Sequence, residues 1–165
     1  MKRPRATDQP DSPDHARLQA LRWLGARELT EFQIRQRLER RGFLPAAVST
    51  ALRRLKEDGT LDDNRTARAL VRTEAHVKRH GPQRVLGKLL AAGVDRDRAR
   101  AILGEEFTEE DQSQLMERAL DKRLRGRIER LKDPLERRKL VAHLVRQGYS
   151  ATAASALIRQ KSRQK

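Results

Sequence analysis

Three glycines, Gly42, Gly93 and Gly148, constrain the fold of this chain more than any other feature. Each has a leucine four residues before it, an aliphatic residue eight before it, an apolar residue directly after it, and another aliphatic residue ten after it. Apolar residues at such steps form one face of a helix, and glycine often follows the last residue of a helix. The coincidence of all these positions predicts an internal helical repeat.

The repeat predicts an all-α fold of three tandem three-helix repeats, with no period-2 strand of convincing length. The expected helices span about 14–26, 31–41 and 45–57 in the first unit, 62–79, 82–92 and 95–105 in the second, and 109–125, 134–147 and 151–161 in the third. The corresponding domains are 14–60, 61–107 and 108–165. Because one unit of about 50 residues buries little apolar surface, neighbours should support one another in an elongated, curved molecule.

Local signals agree with these boundaries. Thr30 and Gln33 have the spacing of a capping box. Further N-caps are predicted at five positions: Asp62, Asp95, Thr108, Asp133 and Ser150. Residues 1–13 contain three prolines and few large apolar side chains, which predicts a disordered basic arm.

Composition narrows the classes of function. Hydrophobic residues are 36% and charged residues 37% of the chain, which suits amphipathic helices with narrow buried stripes. The formal charge of +15 favours a polyanionic partner such as nucleic acid or an acidic protein surface. Cysteine is absent, and no run approaches the roughly 20 apolar residues of a membrane span. We therefore expect a soluble, cytoplasmic protein without disulfides.

Catalytic and metal sites are not indicated. His76 and His80 have the i, i+4 spacing of zinc ligands, but the glutamate of that motif is missing and two cations, Lys78 and Arg79, lie between them. Asp62 and Asp63 suit the start of a helix better than a cation site. The chain has no phosphate-binding glycine loop or nucleophile elbow, so we expect a non-enzyme without cofactor or metal.

Aromatic residues are only 3% of the chain, which makes a base-stacking surface a weak hypothesis. Trp23, Phe32 and Phe43 are expected in the core of the first unit. Basic residues are the better binding candidates. Arg65, Arg72 and Arg79 repeat every seven residues and would share one face of the long helix 62–79.

Two further basic groups extend this prediction. One is the pair Arg84 and Lys88, one helical turn apart, and the other is a dense cluster before residue 134. Such groups fit phosphate or carboxylate contacts, although solvated helix faces also carry such charges. The candidate binding residues are therefore Arg65, Arg72, Arg79, Arg84, Lys88, Lys122, Arg123, Arg125, Arg127 and Arg130.

An ordered run in the middle of the chain resembles the centre of the RecX family. It consists of Leu61-Asp62-Asp63, Arg65, Ala67, Val71-Arg72, Gly81-Pro82, Val85, Leu89 and Gly93-Val94. In the first unit, Glu28-Leu29-Thr30-Glu31, Leu38 and Arg41-Gly42-Phe43 are similar to the family's opening pattern. Gln147-Gly148-Tyr149 gives a thinner match in the third. The chain departs from the family at Thr66, where a phenylalanine is usual.

The resemblance implies a regulator of RecA, the recombinase that polymerises on single-stranded DNA. It implies repeats that lie along the groove of the RecA filament and inhibit its ATPase, strand exchange and growth in recombination and DNA repair. The expected partners are RecA, single-stranded DNA and also double-stranded DNA, and a monomer without membrane contact is expected.

A second hypothesis is a stand-alone DNA-binding transcriptional regulator with helix-turn-helix-like units. Small helical units with basic helices suit this class as well. The positive charge is, however, spread over all units and is not gathered on one recognition helix. Base-specific binding to duplex DNA in the absence of RecA would favour this alternative.

Overall fold

The computed structural model describes residues 7–163. Within that range the chain forms nine α-helices and no strand, so the predicted all-α fold is confirmed. The helices are α1 (Pro13–Leu24), α2 (Glu31–Arg40), α3 (Pro45–Glu57), α4 (Asp63–Arg72), α5 (Pro82–Ala91), α6 (Arg96–Glu106), α7 (Glu109–Leu124), α8 (Pro134–Arg146) and α9 (Ala151–Arg163). A π-helical turn, Thr73–Val77, follows α4, and a 3₁₀ turn, Ile128–Leu131, precedes α8.

Side-chain caps start several helices where the sequence predicts them. The capping box of Thr30 and Gln33 is present at α2. Asp62 accepts the N–H groups of Asn64 and Arg65 at 2.9 and 3.0 Å. Thr108, Asp133 and Ser150 cap α7, α8 and α9 in the same way. These bonds satisfy amide groups that the helix itself leaves without partners.

The chain forms two compact units. The first contains the described residues up to Ala69 together with Ala91–Asp95, and the second contains Leu70–Leu90 and the described residues from Arg96 onward. In the first unit α3 packs on α1 and α2 around Ile34, Leu38 and Leu52. In the second unit α8 packs on α7 and α9 around Leu120, Leu140, Leu144 and Ile158.

Part of the predicted basic arm, residues 1–6, lies outside the described residues. Two backbone hydrogen bonds attach the remainder to the first unit. Thr7 donates to the carbonyl of Arg41 at 3.0 Å, and Leu44 donates to the carbonyl of Pro10 at 2.7 Å. Ser12 then caps α1, which begins at Pro13.

The expectation that three aromatics fill the first core is wrong for Phe32. Phe43 is buried, and Trp23 packs partly against the core with Arg37 over its ring. Phe32, by contrast, is 42% exposed. It follows Glu31, the first residue of α2, where its ring covers the backbone of Gly93 and not the apolar interior.

The three glycines of the sequence repeat form three helix corners with one geometry. Gly42, Gly93 and Gly148 have φ values of +86°, +83° and +98°. This left-handed conformation is costly for residues with a Cβ atom, so glycine is required to end the helix and reverse the chain. The predicted helix-terminating role of all three glycines is confirmed.

At each corner the carbonyl directly before the glycine accepts a hydrogen bond from an earlier part of the chain. The donors are the Thr7 N–H to Arg41 at 3.0 Å, the Thr30 hydroxyl to Ala92 at 2.5 Å, and the Gly81 N–H to Gln147 at 2.8 Å. Thr30 and Gly81 stand at the starts of α2 and α5. The start of one helix is thereby joined to the end of another.

Contact at two of these corners is too close for a side chain. A Cβ atom on Gly148 would lie 2.5 Å from both the Cβ and the backbone nitrogen of Arg84, and one on Gly93 would overlap the Cβ atom of Phe32. At Gly42 nothing lies within 4 Å of such an atom. Gly42 and Gly148 therefore share a backbone conformation but differ in packing.

This difference predicts unequal effects of two alanine substitutions. Gly42→Ala should cost about 1–2 kcal/mol, because only the left-handed conformation is penalised. Gly148→Ala should cost well over 3 kcal/mol, since Arg84 and the start of α5 must also move. Urea unfolding followed by circular dichroism measures both values. Equal losses in the two variants would show that the close packing at Gly148 contributes nothing to stability.

Candidate functional site

Arg65 has a structural role next to the start of α4. Its guanidinium donates to the carbonyl of Thr60 at 3.0 Å and lies 3.7 Å from a carboxylate oxygen of Glu28. The neighbouring Thr66 is buried and donates to the other oxygen of Glu28 at 3.1 Å. Arg65 thus closes the turn before α4, while half of its side chain remains exposed.

Three more of the predicted cations are engaged within the second unit. Arg72 lies 3.7 Å from Glu106, and Arg84 donates to the carbonyl of Arg146 at 3.1 Å. Arg130 donates twice to Glu136, at 2.9 and 2.6 Å, and once to the carbonyl of Arg123 at 3.2 Å. The pKa of Glu136 falls to about 2 because Lys139 and Arg130 bond its carboxylate. Arg130 therefore holds the α7–α8 connection together.

The prediction that Arg79 continues the face of Arg65 and Arg72 is wrong. Regular α-helix ends at Arg72, and the π turn follows, in which Lys78 donates to the carbonyl of Thr73. The wider turn shifts the helical register. Arg79 then adopts a left-handed conformation with φ of +60° and leaves the helix.

A nearly buried carboxylate fixes this π turn. Glu74 is only 6% exposed, and its oxygens lie 2.5 Å from the Lys78 ammonium and 2.7 Å from Nδ1 of His80. Burial raises the pKa of Glu74, but bonds to Lys78 and His80 offset this and hold the pKa below its usual value. His80 is thus a partner of Glu74. Among the described residues no group of three or more His, Cys, Asp or Glu could hold a metal ion.

The π turn brings Arg79 to the second predicted basic cluster. A concavity of about 270 Å³ in the second unit is lined by Lys78, Arg79, Ala119, Lys122, Arg123, Arg125, His143 and Gln147. Four of its cations, Arg79, Lys122, Arg123 and Arg125, were predicted as binding residues. We call this group of eight lining residues the cationic concavity.

Helix ends position these cations. Lys122 and Arg123 lie in the last turn of α7, and Arg125 ends that helix in a left-handed conformation with φ of +51°. On the opposite side the buried Tyr149 donates its hydroxyl to the carbonyl of Arg79 at 2.9 Å. Burial raises the pKa of Tyr149 to about 12, so this donor remains protonated at neutral pH. Positive side chains near helix C-termini are favoured by the helix dipole.

The cationic concavity has an excess of unpaired positive charge. No carboxylate lines it, and Arg79, Lys122, Arg123 and Arg125 form no ion pair with the described residues. The pKa of His143 is lowered, first by burial and then by the charges of Arg123 and Arg146. Like charges at close range repel one another, so an arriving phosphate or carboxylate would relieve the repulsion and accept several hydrogen bonds. Two further candidates, Lys88 and Arg127, are exposed but do not line it.

Sequence reasoning missed three polar lining residues, Lys78, His143 and Gln147. His143 and Gln147 belong to the end of α8. The sequence offers one indication of their role, which is their position near the end of the predicted helix 134–147. The cations of α7 likewise lie near the end of a predicted helix. Which helix ends meet depends on tertiary packing, which this spacing does not reveal.

Known proteins similar to this chain are regulators of one family. A sequence model described as RecX, first three-helix domain, matches residues 16–55. The regulatory protein RecX of Mycobacterium avium (strain 104) is 31% identical over 158 residues, which cover 94% of this chain and 89% of that protein. The chain belongs to the RecX family.

Other RecX proteins extend the match. The regulatory protein RecX of Deinococcus radiodurans is 35% identical over 141 residues, covering 86% of this chain and 65% of that protein. The crystal structure of RecX from Lactobacillus salivarius has a TM-score of 0.77 at 20% identity, covering 93% of this chain and 97% of that chain. The latter similarity shows a shared all-α fold.

The names of the RecX relatives are those of regulatory proteins and not of enzymes. In the part of this RecX family member that the structure describes, no helix is long and apolar enough to cross a membrane.

The Glu74 cluster predicts a pH-dependent contribution to stability in this RecX family member. The pKa of Glu74 in the folded chain is lowered below that of an unfolded glutamate by its bonds to Lys78 and His80, so the charged carboxylate stabilises the fold above the unfolded-state pKa. Glu74→Gln should therefore cost roughly 1–3 kcal/mol at pH 7. The difference should shrink as the pH falls through the folded-state pKa.

Thermal unfolding of wild type and variant between neutral and acidic pH measures this effect. Glu39→Gln is the matched control, because Glu39 is exposed on α2. A loss in Glu74→Gln that does not change with pH would contradict a stabilising role for the charged carboxylate.

Proposed function

We propose that this RecX family member binds the RecA filament and restrains its ATPase, strand exchange and growth in recombination and DNA repair. The family and the regulatory names of its relatives support this role. The observation that carries it is the cationic concavity, where four unpaired cations converge without any lining carboxylate. The protein acts by binding, without chemistry of its own.

The cationic concavity suits a filament because a RecA–DNA complex presents anionic groups at regular intervals. Phosphates of nucleic acid and carboxylates of a protein surface are both bound by arginine in a bidentate manner. Contacts at several points along one chain add through effective concentration. We accordingly propose that Lys88 and Arg127, both exposed, supply further contacts outside the concavity.

We also propose that the chain is organised as three repeats, 14–60, 61–107 and 108–165. The three corners at Gly42, Gly93 and Gly148 support this division, because in each the carbonyl directly before the glycine accepts a hydrogen bond. A protein of this kind could present several binding surfaces to successive RecA protomers and to the DNA. It would act in the cytoplasm, where the filament forms.

Charge reversal tests the cationic concavity. In the triple variant Lys122→Glu, Arg123→Glu, Arg125→Glu, the concentration that half-inhibits the single-stranded-DNA-dependent ATPase of RecA should rise at least tenfold. A tenfold rise corresponds to about 1.4 kcal/mol of lost binding, which is modest for three reversed contacts. The three side chains are exposed, so the helical circular dichroism spectrum should be unchanged.

The matched control reverses Arg22, Arg27 and Arg40, which are exposed in the first unit and change the net charge equally. If the control variant loses as much inhibition as the triple variant, the loss reflects net charge, and the cationic concavity does not contact the RecA filament.

If the wild-type protein fails to inhibit at any ratio to RecA, the RecA proposal itself is overturned. Base-specific duplex binding in that case would favour a stand-alone DNA-binding regulator.

A further inference from the structure

A second surface of the same unit combines an apolar floor with a basic rim. The groove has a volume of about 530 Å³ and runs along α8 and α9. Its lining residues are Pro134, Arg137, Arg138, Val141, Ala142, Val145, Ser155, Ile158 and Arg159. None of these lines the cationic concavity, so the two surfaces are separate.

The floor of the groove contains apolar side chains of α8 that do not belong to the core face of that helix. Leu140 and Leu144 already form the core face of α8 and are fully buried. Val141 and Val145, on the groove side of the same helix, are partly buried and 39% exposed, respectively. Ile158 of α9 is buried beneath them. Exposed apolar side chains that are rimmed by polar groups can seat the apolar side chains of a partner.

The rim carries only positive charge. Arg137 donates to the carbonyl of Leu131 at 3.3 Å and is held against the protein. Arg138 and Arg159 are exposed, and neither forms an ion pair with the described residues. No carboxylate lines the groove. A ligand that places apolar side chains on the floor and carboxylates beside the arginines would complement both features.

We propose that this groove binds an acidic amphipathic peptide segment of a partner protein. Arg138, Val141 and Val145 are spaced at i, i+3 and i+7 on α8, so the surface extends over about two helical turns, roughly 10 Å. A helical segment that presents apolar residues at i, i+4 and i+7, with glutamate or aspartate at the flanks, matches this length.

Charge and apolarity together select this occupant over two others. Nucleic acid would satisfy the arginines, but its backbone offers no apolar side chains for the valine floor. A second copy of this chain would bring another +15 of net charge against a basic rim. The acidic peptide is the occupant that both parts of the groove favour. This inference does not depend on binding to RecA.

Fluorescence anisotropy of a labelled peptide tests the proposal with the full-length protein alone. The probe is an amphipathic peptide of about 14 residues with leucine at i, i+4 and i+7 and glutamate at the flanking positions. We expect a Kd on the order of 10 μM. Arg138→Glu with Arg159→Glu should weaken binding at least tenfold, and Val145→Glu should weaken it similarly by placing a carboxylate on the floor.

The matched control is Arg27→Glu with Arg40→Glu, which has the same change in net charge and should bind the peptide nearly as wild type does. A peptide with lysine in place of glutamate, and one with the leucines scrambled off one face, should bind at least tenfold more weakly. The proposal would be overturned if the lysine peptide bound as tightly as the glutamate peptide. It would also be overturned if the control variant lost as much affinity for the glutamate peptide as Arg138→Glu with Arg159→Glu does.

Two other outcomes would assign the groove to a different occupant and also overturn the proposal. In the first outcome, an oligo-dT strand binds the wild-type protein tightly and binds the double variant Arg138→Glu, Arg159→Glu more weakly, while the peptide does not bind. In the second outcome, analytical ultracentrifugation shows a concentration-dependent dimer of the wild-type protein, and the Val145→Glu variant remains monomeric. Since RecA is absent from these measurements, their result is independent of whether the protein inhibits RecA.

Discussion

The interaction on which the described fold depends is the hydrogen bond to the carbonyl before each of the three repeat glycines, Gly42, Gly93 and Gly148. In two of the three corners the donor stands at the start of a helix, at Thr30 or at Gly81. One carbonyl at the end of a helix therefore meets a donor at the start of another, and a backbone acceptor that the helix itself leaves unpaired is satisfied.

Features governed by local sequence could be predicted well. The capping box at Thr30 and the left-handed glycines depend on a few neighbouring residues, and most helix bounds follow from the periodicity of apolar residues. The predicted helix 62–79 is the exception, because its regular α-helical part ends at Arg72. Phe32 and Arg79 could not be placed correctly, because their positions depend on partners distant in sequence or on a change of helical period. The ring of Phe32 lies over Gly93, and the π turn around Glu74 moves Arg79 off its expected helix face.

The basic residues of the chain divide into two physical classes that composition does not distinguish. Arg65, Arg84 and Arg130 donate to backbone carbonyls or carboxylates of their own chain and so stabilise connections between helices. Arg79 and Arg125 adopt strained left-handed conformations and hold their side chains beside other unpaired cations. Like-charge repulsion of this kind is unfavourable for folding and is a common property of surfaces that bind anions.

The corner contacts also explain how a protein of this kind can diverge in sequence while it keeps its fold. The acceptors belong to Arg41, Ala92 and Gln147, three residues with unrelated side chains, because the acceptor in each contact is a main-chain carbonyl. Substitution at these positions leaves the carbonyl in place, so mutations there can accumulate without loss of the corner. Selection on the fold therefore falls on the glycine, on the apolar residues beneath it and on the donor residues Thr30 and Gly81, whereas the residue that supplies the carbonyl is free to change.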